Sequence, residues 1–351
     1  MTENTNPAPS SAEAPTVHRR RPRYAGKYPR GFDEKYKERD PVLFGETVAK
    51  VIASGKTPAG THRPILVAEI LGVLEPRPGE VALDCTLGYG GHAESLLPRL
   101  LPGGRLVGID TDPIQLPKTE ERLRALGFGA DVFSVERCNF AGLPQVLARV
   151  GVSGADVVLS DLGVSSMQID DPTRGFSVKF DGPLDMRMNP ERGQPVSAFL
   201  ERVRVDALSS LLVWNSDEPH AAVLAPLLAG KKFSTTRELA TAVRAALPRA
   251  RPEEVEVSVR RVFQALRIAV NDEFSALETW LRHLPACLNA GGRVAVLTFH
   301  SGEDRRVKRA FESGLREGVY SAIAVEVIRP GPEERRANPR STPAKLRWAR
   351  R

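Results

Sequence analysis

The chain has only three cysteines, Cys85, Cys138 and Cys287, odd in number and far apart. That argues against a disulfide framework, fits a reducing compartment, and offers none of the spacings that hold a metal. The six histidines (His18, His62, His92, His220, His283, His300) are equally dispersed, so no metal site is expected. No run of about 18 apolar residues is present, which excludes a membrane-spanning helix. The opening Met1-Thr2-Glu3-Asn4 lacks the basic-then-apolar layout of a secretory signal, so a cytoplasmic location is expected. No internal repeat is visible.

What is abundant is positive charge. The formal net charge is +7 over 351 residues, which favours an anionic partner. Between His18 and Arg39 there are nine Lys or Arg against three acids, interleaved with Tyr24, Tyr28, Phe32 and Tyr36. Such a stretch suits phosphates and unpaired bases, and it suits a solvated linker equally well. Residues 1–17, rich in Pro, Ser, Ala and Thr, read as disordered. A helix is expected over 41–54.

From His62 onward the pattern changes. A helix is expected from Ile65 to Leu74, then strands at 81–84, 105–109, 131–135 and 155–159 alternate with helices near 92–100, 113–126 and 141–150. That alternation predicts an α/β fold with a parallel sheet covered on both faces. After Asp161 it stops. Turn-rich sequence and helical segments near 196–213, 217–229, 235–247 and 252–260 follow, which reads as a helical insertion. The sheet pattern then resumes with one long amphipathic helix from Phe263 to Leu284, a strand at 292–298, a helix near 303–314 and strands at 322–328 and 344–349. The expected divisions are a basic extension over 1–60, a core over 61–168 and 261–351, and the insertion over 169–260.

The first strand ends in Asp84 and runs into Gly88-Tyr89-Gly90-Gly91-His92, then a helix. Glycines there let the backbone approach a ligand, and the helix N-terminus presents free N–H groups. The second strand ends in Asp110, placed to accept hydrogen bonds from ribose hydroxyls. The phosphate-cradling Gly-x-Gly-x-x-Gly spacing is absent, and a third acid, Asp161, follows the fourth strand. Carboxylates suit S-adenosylmethionine, a cationic sulfonium without phosphate, better than a dinucleotide; an oxidoreductase remains the rival reading at this point. No cysteine sits in the Pro-Cys loop that attacks a pyrimidine ring, and the Pro-Pro-aromatic loop of many amine methylases is missing, so residue chemistry leaves the acceptor open.

The longer string Asp161-Leu162-Gly163-Val164-Ser165-Ser166-x-Gln168-x-Asp170, with Arg174-Gly175-Phe176-Ser177 and Asp181-Gly182-Pro183-Leu184-Asp185-Met186-Arg187-Met188, closely resembles the RsmH/MraW family of bacterial 16S rRNA (cytosine-N4)-methyltransferases. Phe263 to Asn271, Phe299-His300-Ser301 and Asn338-Pro339-Arg340 extend the likeness to most of the chain beyond His62. The resemblance implies a class I (Rossmann-like) methyltransferase sheet with an inserted helical domain, S-adenosylmethionine as methyl donor, and 16S rRNA in the small ribosomal subunit as substrate. It implies that Gly90, Gly91 and His92 face the methionine part, Asp110 the ribose, Phe140 the adenine, with Asp161 and Gln168 completing a pocket that begins at Asp84 and Gly88. Oligomeric state is not indicated.

Direct transfer to a cytosine N4 needs acceptors for its N–H groups, for which Asp161, Ser165 and Ser166 are the candidates, with His300 for late proton removal. Ser165 and Ser166 equally suit a turn or cap, and His300 a purely structural place. Arg174, Arg187 and Arg267 are candidate RNA contacts, or else ion-pair partners; the helical stripe that begins at Phe263 is expected to be core. Three departures from the family strings stand out: Val257-Ser258-Val259 replaces His-Pro-Ala, Asn215-Ser216-Asp217-Glu218 replaces Tyr-Gly-Glu-Glu, and Gly302 replaces Leu. An rRNA-binding assembly factor with a vestigial pocket is the alternative of a different class.

Overall fold

Short apolar runs that end in an acid form the centre of the fold. The computed structural model describes residues 64–351, so the 41–54 helix and the basic aromatic arm lie outside the described residues. Strands β1 (Val81–Asp84), β2 (Arg105–Asp110), β3 (Phe133–Arg137), β4 (Ala155–Asp161), β5 (Leu288–Thr298), β6 (Ala322–Ile323) and β7 (Lys345–Arg350) build one sheet in the order β3-β2-β1-β4-β5-β7-β6. The first five are parallel, and β7 is antiparallel to β5 and β6.

Successive residues on β1 face opposite sides, and each side is filled. Ala82, with Leu106, Val157 and Leu159, packs under α1 (Val67–Leu74), α2 (Gly91–Leu100) and α3 (Gln115–Ala125). Leu83, with Val107, Ile109 and Val158, packs against α4 (Leu143–Arg149), α11 (Glu273–Cys287) and α12 (Ser301–Arg316), with Trp280 fully buried. Each large aliphatic side chain so buried contributes about 1.5–3 kcal/mol. Gly108 in β2 is required by this packing, because a Cβ there would stand 2.7 Å from a methyl of Leu87.

The chain leaves the sheet after β4, through the short α5 (Ser166–Asp170), and builds the helical insertion from α6 (Val196–Arg202), α7 (Val205–Ser216), α8 (Ala221–Leu228), α9 (Thr236–Ala246) and α10 (Pro252–Val270). This insertion has its own apolar core, from Leu184 through Leu212 and Leu224 to Phe263 and Leu266. The short α13 (Pro332–Ala337) precedes β7.

The α/β class and the inserted helical domain expected from the sequence are present. The differences lie at breaks. The helix expected over 196–213 is two, because Val203 and Arg204 adopt extended backbone and Arg204 pairs with Asp206 at 2.9 Å. The segment 252–260 is not a separate helix: α10 runs on to Val270, so the expected boundary at 260 falls inside it. The stripe from Phe263 to Leu284 is interrupted at Asn271-Asp272. Asp272 takes φ 51°, a left-handed conformation that Asp tolerates. Asn271 replaces helical bonds by donating to the carbonyls of Met186 and Arg267, both within 2.9 Å. The strand expected at 322–328 shrinks to two residues plus a lone bridge from Ile328 to Leu346. Helix α2 passes through Pro98 without ending.

Candidate active site

The sheet reverses its strand order between β1 and β4, and open α/β sheets bind ligands at the carboxyl edge of that point. Asp84 pairs in register with Gly108 and Leu159, so the ends of β1, β2 and β4 arrive at one edge and bring Asp84, Asp110 and Asp161 together. A cavity of about 650 Å³ opens there, walled by the loops after β1, β2, β3 and β4, by α10 and α11 of the later chain, and by His300.

The first wall is the turn after β1. Gly88 (φ 50°) and Gly90 (φ 77°) both take left-handed backbone before α2 starts at Gly91. Gly88 N donates to Asp110 Oδ2 at 2.8 Å and Asp112 N to Asp110 Oδ1 at 2.9 Å, which fixes that carboxylate on the cavity lining. Burial raises the Asp110 pKa, opposed by those two amides. Phe140 opens a 3-10 turn that Asn139 caps, and its ring meets Trp280 edge-on at 5.9 Å.

Asp84 sits differently from the expectation. It does not line the cavity; it is 2% exposed beneath it, accepting from Thr86 N at 3.1 Å. Burial pushes its carboxyl up to about 7, against the pull of His92. Thr86 in turn accepts from Asp161 N at 2.6 Å, so the first and fourth strand ends are tied by one hydroxyl.

His92 and Asp161 face each other at 3.5 Å between Nε2 and Oδ2, with Asp161 Oδ1 buried and, among the described residues, without a hydrogen-bond partner. An unmet buried acceptor and an imidazole nitrogen, both on the cavity wall, are the observation a bound polar ligand would account for.

Ser165 and Gln168 are brought to the cavity, but for each other. Ser165 Oγ accepts from Gln168 N at 3.2 Å and Gln168 Oε1 from Ser165 N at 2.9 Å, a reciprocal cap of α5. Gln168 Nε2 donates to Asp112 Oδ2 at 2.8 Å. Ser166 begins the helix and also lines the cavity.

The three candidate arginines are held by carboxylates. Arg174, 9% exposed, pairs with Asp112 at 2.9 Å and donates to the carbonyls of Arg187 and Met188. Arg187 grips Asp185 through two bonds, and neither Arg174 nor Arg187 reaches the cavity. Arg267 does line it, clamped by Glu273 at 2.8 and 2.9 Å. Each of them already engages two or more of its five N–H donors within the protein.

His300 is the cap of α12: its Nδ1 accepts from Glu303 N at 3.4 Å, and its Nε2 stands 3.2 Å from Glu303 Oε1. Both ring nitrogens therefore face Glu303, so within this arrangement His300 serves to cap α12 and position the cavity wall. Glu303, 3% exposed, is held below the usual carboxylate range despite its burial by His300, by Arg267 and by Phe299 N at 2.9 Å.

Sequence reasoning missed Asp112, Glu303 and, apart from Arg267, the cavity face of α10. Phe263, expected to be core, is 5% exposed and packs in the insertion, yet it also lines the cavity along with Gln264. Arg340 lines the cavity while pairing with Asp170 at 2.6 Å. The family string Asn338-Pro339-Arg340 was the available signal for it.

The family model described as the MraW methylase family matches residues 59–351. Ribosomal RNA small subunit methyltransferase H 2 of Alkaliphilus metalliredigens is 49% identical over 339 residues, 94% of this chain and 97% of that one. Ribosomal RNA small subunit methyltransferase H of Thioalkalivibrio sulfidiphilus is 41% identical over 319 residues, 85% of this chain and 99% of that one. Among solved structures, TrmN from Thermus thermophilus is similar with a TM-score of 0.38 and 15% identity, covering 82% of this chain and 48% of that one. A SAM-dependent O-methyltransferase from Thermotoga maritima also has a TM-score of 0.38, with 8% identity and coverage of 87% and 70%. With the carboxyl-edge cavity, the strings that wall it and a family match from residue 59 to the last, the chain belongs to the MraW methylase family.

Proposed function

We propose that this chain transfers a methyl group from S-adenosylmethionine to the exocyclic N4 amine of a cytosine in 16S rRNA of the small ribosomal subunit, in the cytoplasm. The observation that carries the reading is the meeting of Asp110, His92 and Asp161 on one cavity at the carboxyl edge of the sheet, in a methylase-family chain whose relatives are named rRNA small subunit methyltransferases.

The residues fit the methyl donor. Gly90, Gly91 and His92 offer backbone and imidazole to its amino-acid part, Asp110 offers carboxylate lone pairs to the ribose, and Phe140 offers a ring to the adenine. When bound, S-adenosylmethionine supplies an electrophilic methyl group on a sulfonium. Asp161 Oδ1, buried and unpartnered among the described residues, accepts an N–H of the cytosine amine and takes its proton as positive charge develops on that nitrogen. The amine's lone pair is delocalised into the ring, so alignment and exclusion of water carry much of the rate. The Ser165–Gln168 cap and the Gln168–Asp112 bond hold the loop that follows Asp161. The cytosine must be unpaired or flipped to enter.

The test is transfer of labelled methyl from S-adenosylmethionine to free 16S rRNA and to small subunits lacking the modification, followed by nucleoside analysis. Label in N4-methylcytidine, lost in Asp161→Ala, is the expected result. Cofactor binding without transfer to either RNA would overturn the reading in favour of an assembly factor with a vestigial pocket.

A further inference from the structure

Trp214, at the end of α7, is 68% exposed, far more than packing calls for in so large an apolar side chain. The guanidinium carbon of Arg306 lies 5.5 Å from its ring centroid and 3.6 Å from that of Phe274. Arg306 is fixed there by Glu278 at 2.7 Å and by the carbonyl of Gly302 at 3.1 Å. The Phe274 ring is in turn 5.7 Å from that of His300, and both line the cavity. A row Trp214–Arg306–Phe274–His300 therefore runs from solvent to the cavity wall.

Beside that row α10 carries Arg260 to the cavity. Arg260 is exposed and, among the described residues, makes no ion pair; its acidic neighbour Glu256 is taken by Arg244 at 2.6 Å. Of the arginines that line the cavity, Arg267 and Arg340 are paired with carboxylates, although one Arg340 nitrogen stays unpartnered among the described residues; Arg260 has its whole guanidinium available to an anion. One turn beyond it, Gln264 Nε2 donates to the carbonyl of Asn215 at 3.0 Å, fastening the residue after Trp214 to the same helix.

We propose that this row is a track for unpaired RNA: a base next to the target cytosine stacks on Trp214, and Arg260 binds the phosphate leading into the cavity. The proposal rests on the rRNA reading above. A base presents a π-face of any sequence to an exposed indole, and a guanidinium held between two rings adds positive potential where the backbone must pass.

Intrinsic fluorescence reads the stacking directly, because Trp280 is fully buried and Trp348 half-buried while Trp214 is exposed. An unpaired RNA of roughly ten nucleotides should quench the full-length protein, and Trp214→Phe should abolish most of that quench. Trp214→Ala should raise KM for unmodified small subunits roughly tenfold, with the loss residing in KM rather than kcat and the affinity for S-adenosylmethionine unchanged. Trp214→Phe should restore KM to within about threefold, since it keeps a stacking face. Arg260→Gln should raise KM and lower the slope of its logarithm against log salt by about 1. An active parent whose KM and quench survive both substitutions overturns the proposal. So does a Trp214→Ala variant that changes only the oligomeric state, which would assign the ring to a contact between protein surfaces. If the parent itself transfers no methyl to RNA, the functional reading fails instead, and the quench still decides whether RNA lies on Trp214.

Discussion

His92 Nε2 and Asp161 Oδ2 stand 3.5 Å apart, joining the first turn of α2 to the end of β4 across the point where the strand order reverses. Asp161→Asn keeps the shape of this contact but removes the carboxylate that, on the proposed reading, accepts the amine proton. Its kcat should fall by about 10²–10³, with S-adenosylmethionine affinity retained to within a few-fold. Single-turnover transfer alongside calorimetric titration separates the two; equal losses in both would place Asp161 in binding alone.

Asp84 gives the stability a pH signature. Its carboxyl is raised from 3.8 to about 7 by burial, so between those values the folded chain holds a proton that the unfolded chain has released. The resulting contribution is complete below pH 4 and is lost as pH rises through 7, with an upper bound of about 4 kcal/mol. Asp84→Asn removes it, so the variant should gain on the parent between pH 5 and pH 8. Urea unfolding at both pH values checks this, and a pH-independent difference would contradict it.

Glu303 behaves in the opposite sense. Its folded pKa lies below the usual value, so its contribution is present above the unfolded pKa and fades as pH falls through the folded one. Glu303→Gln leaves Arg267 and His300 short of one charge and should cost about 3 kcal/mol at pH 7. Thermal unfolding should show the gap to the parent closing under acid conditions.

Gly302 is a departure that the packing explains. A Cβ there would lie 2.5 Å from Phe274 Cζ and 3.1 Å from His300 Nδ1. Gly302→Leu, which restores the family residue, should therefore destabilise by about 1–3 kcal/mol. A double variant with Phe274→Ala should recover part of that loss; no recovery would mean the clash lies elsewhere.

The other two departures meet in one place. Ser258 Oγ donates to Glu218 Oε1 at 2.9 Å, and both residues are buried. Glu218 also accepts from His220 N at 2.9 Å, while its Oε2 has no partner among the described residues. Ser258→Ala should cost about 1–3 kcal/mol by stripping a further bond from a buried carboxylate. Chemical denaturation measures it, and a neutral result would show that water substitutes for the hydroxyl.

The strands that end in Asp84, Asp110 and Asp161 were legible because a buried parallel strand reads as a short apolar run, and the polar residue after it marks the edge where a ligand binds. Family strings located Gln168 and His300 but not what they do: a cap and a carboxylate partner depend on backbone geometry that residue types alone do not specify. Arg174 illustrates the limit. Its partner Asp112 lies 62 residues earlier, and no local pattern distinguishes an arginine that meets phosphate from one that meets a distant acid. The break at Asn271-Asp272 was hidden for a related reason, since the apolar stripe resumes in phase on its far side. Phe263 belongs to two environments at once, core and cavity, and periodicity reports only the first.

Helix α10 starts in the insertion and ends against the cavity without interruption, about 28 Å of continuous hydrogen-bonded rod. A rod of that kind transmits displacement along its length with little loss, and Arg260, Phe263, Gln264 and Arg267 are all carried on it. The insertion and the cavity wall are thus a single mechanical part. Whatever the insertion grips, its position is passed to the cavity wall as a rigid offset.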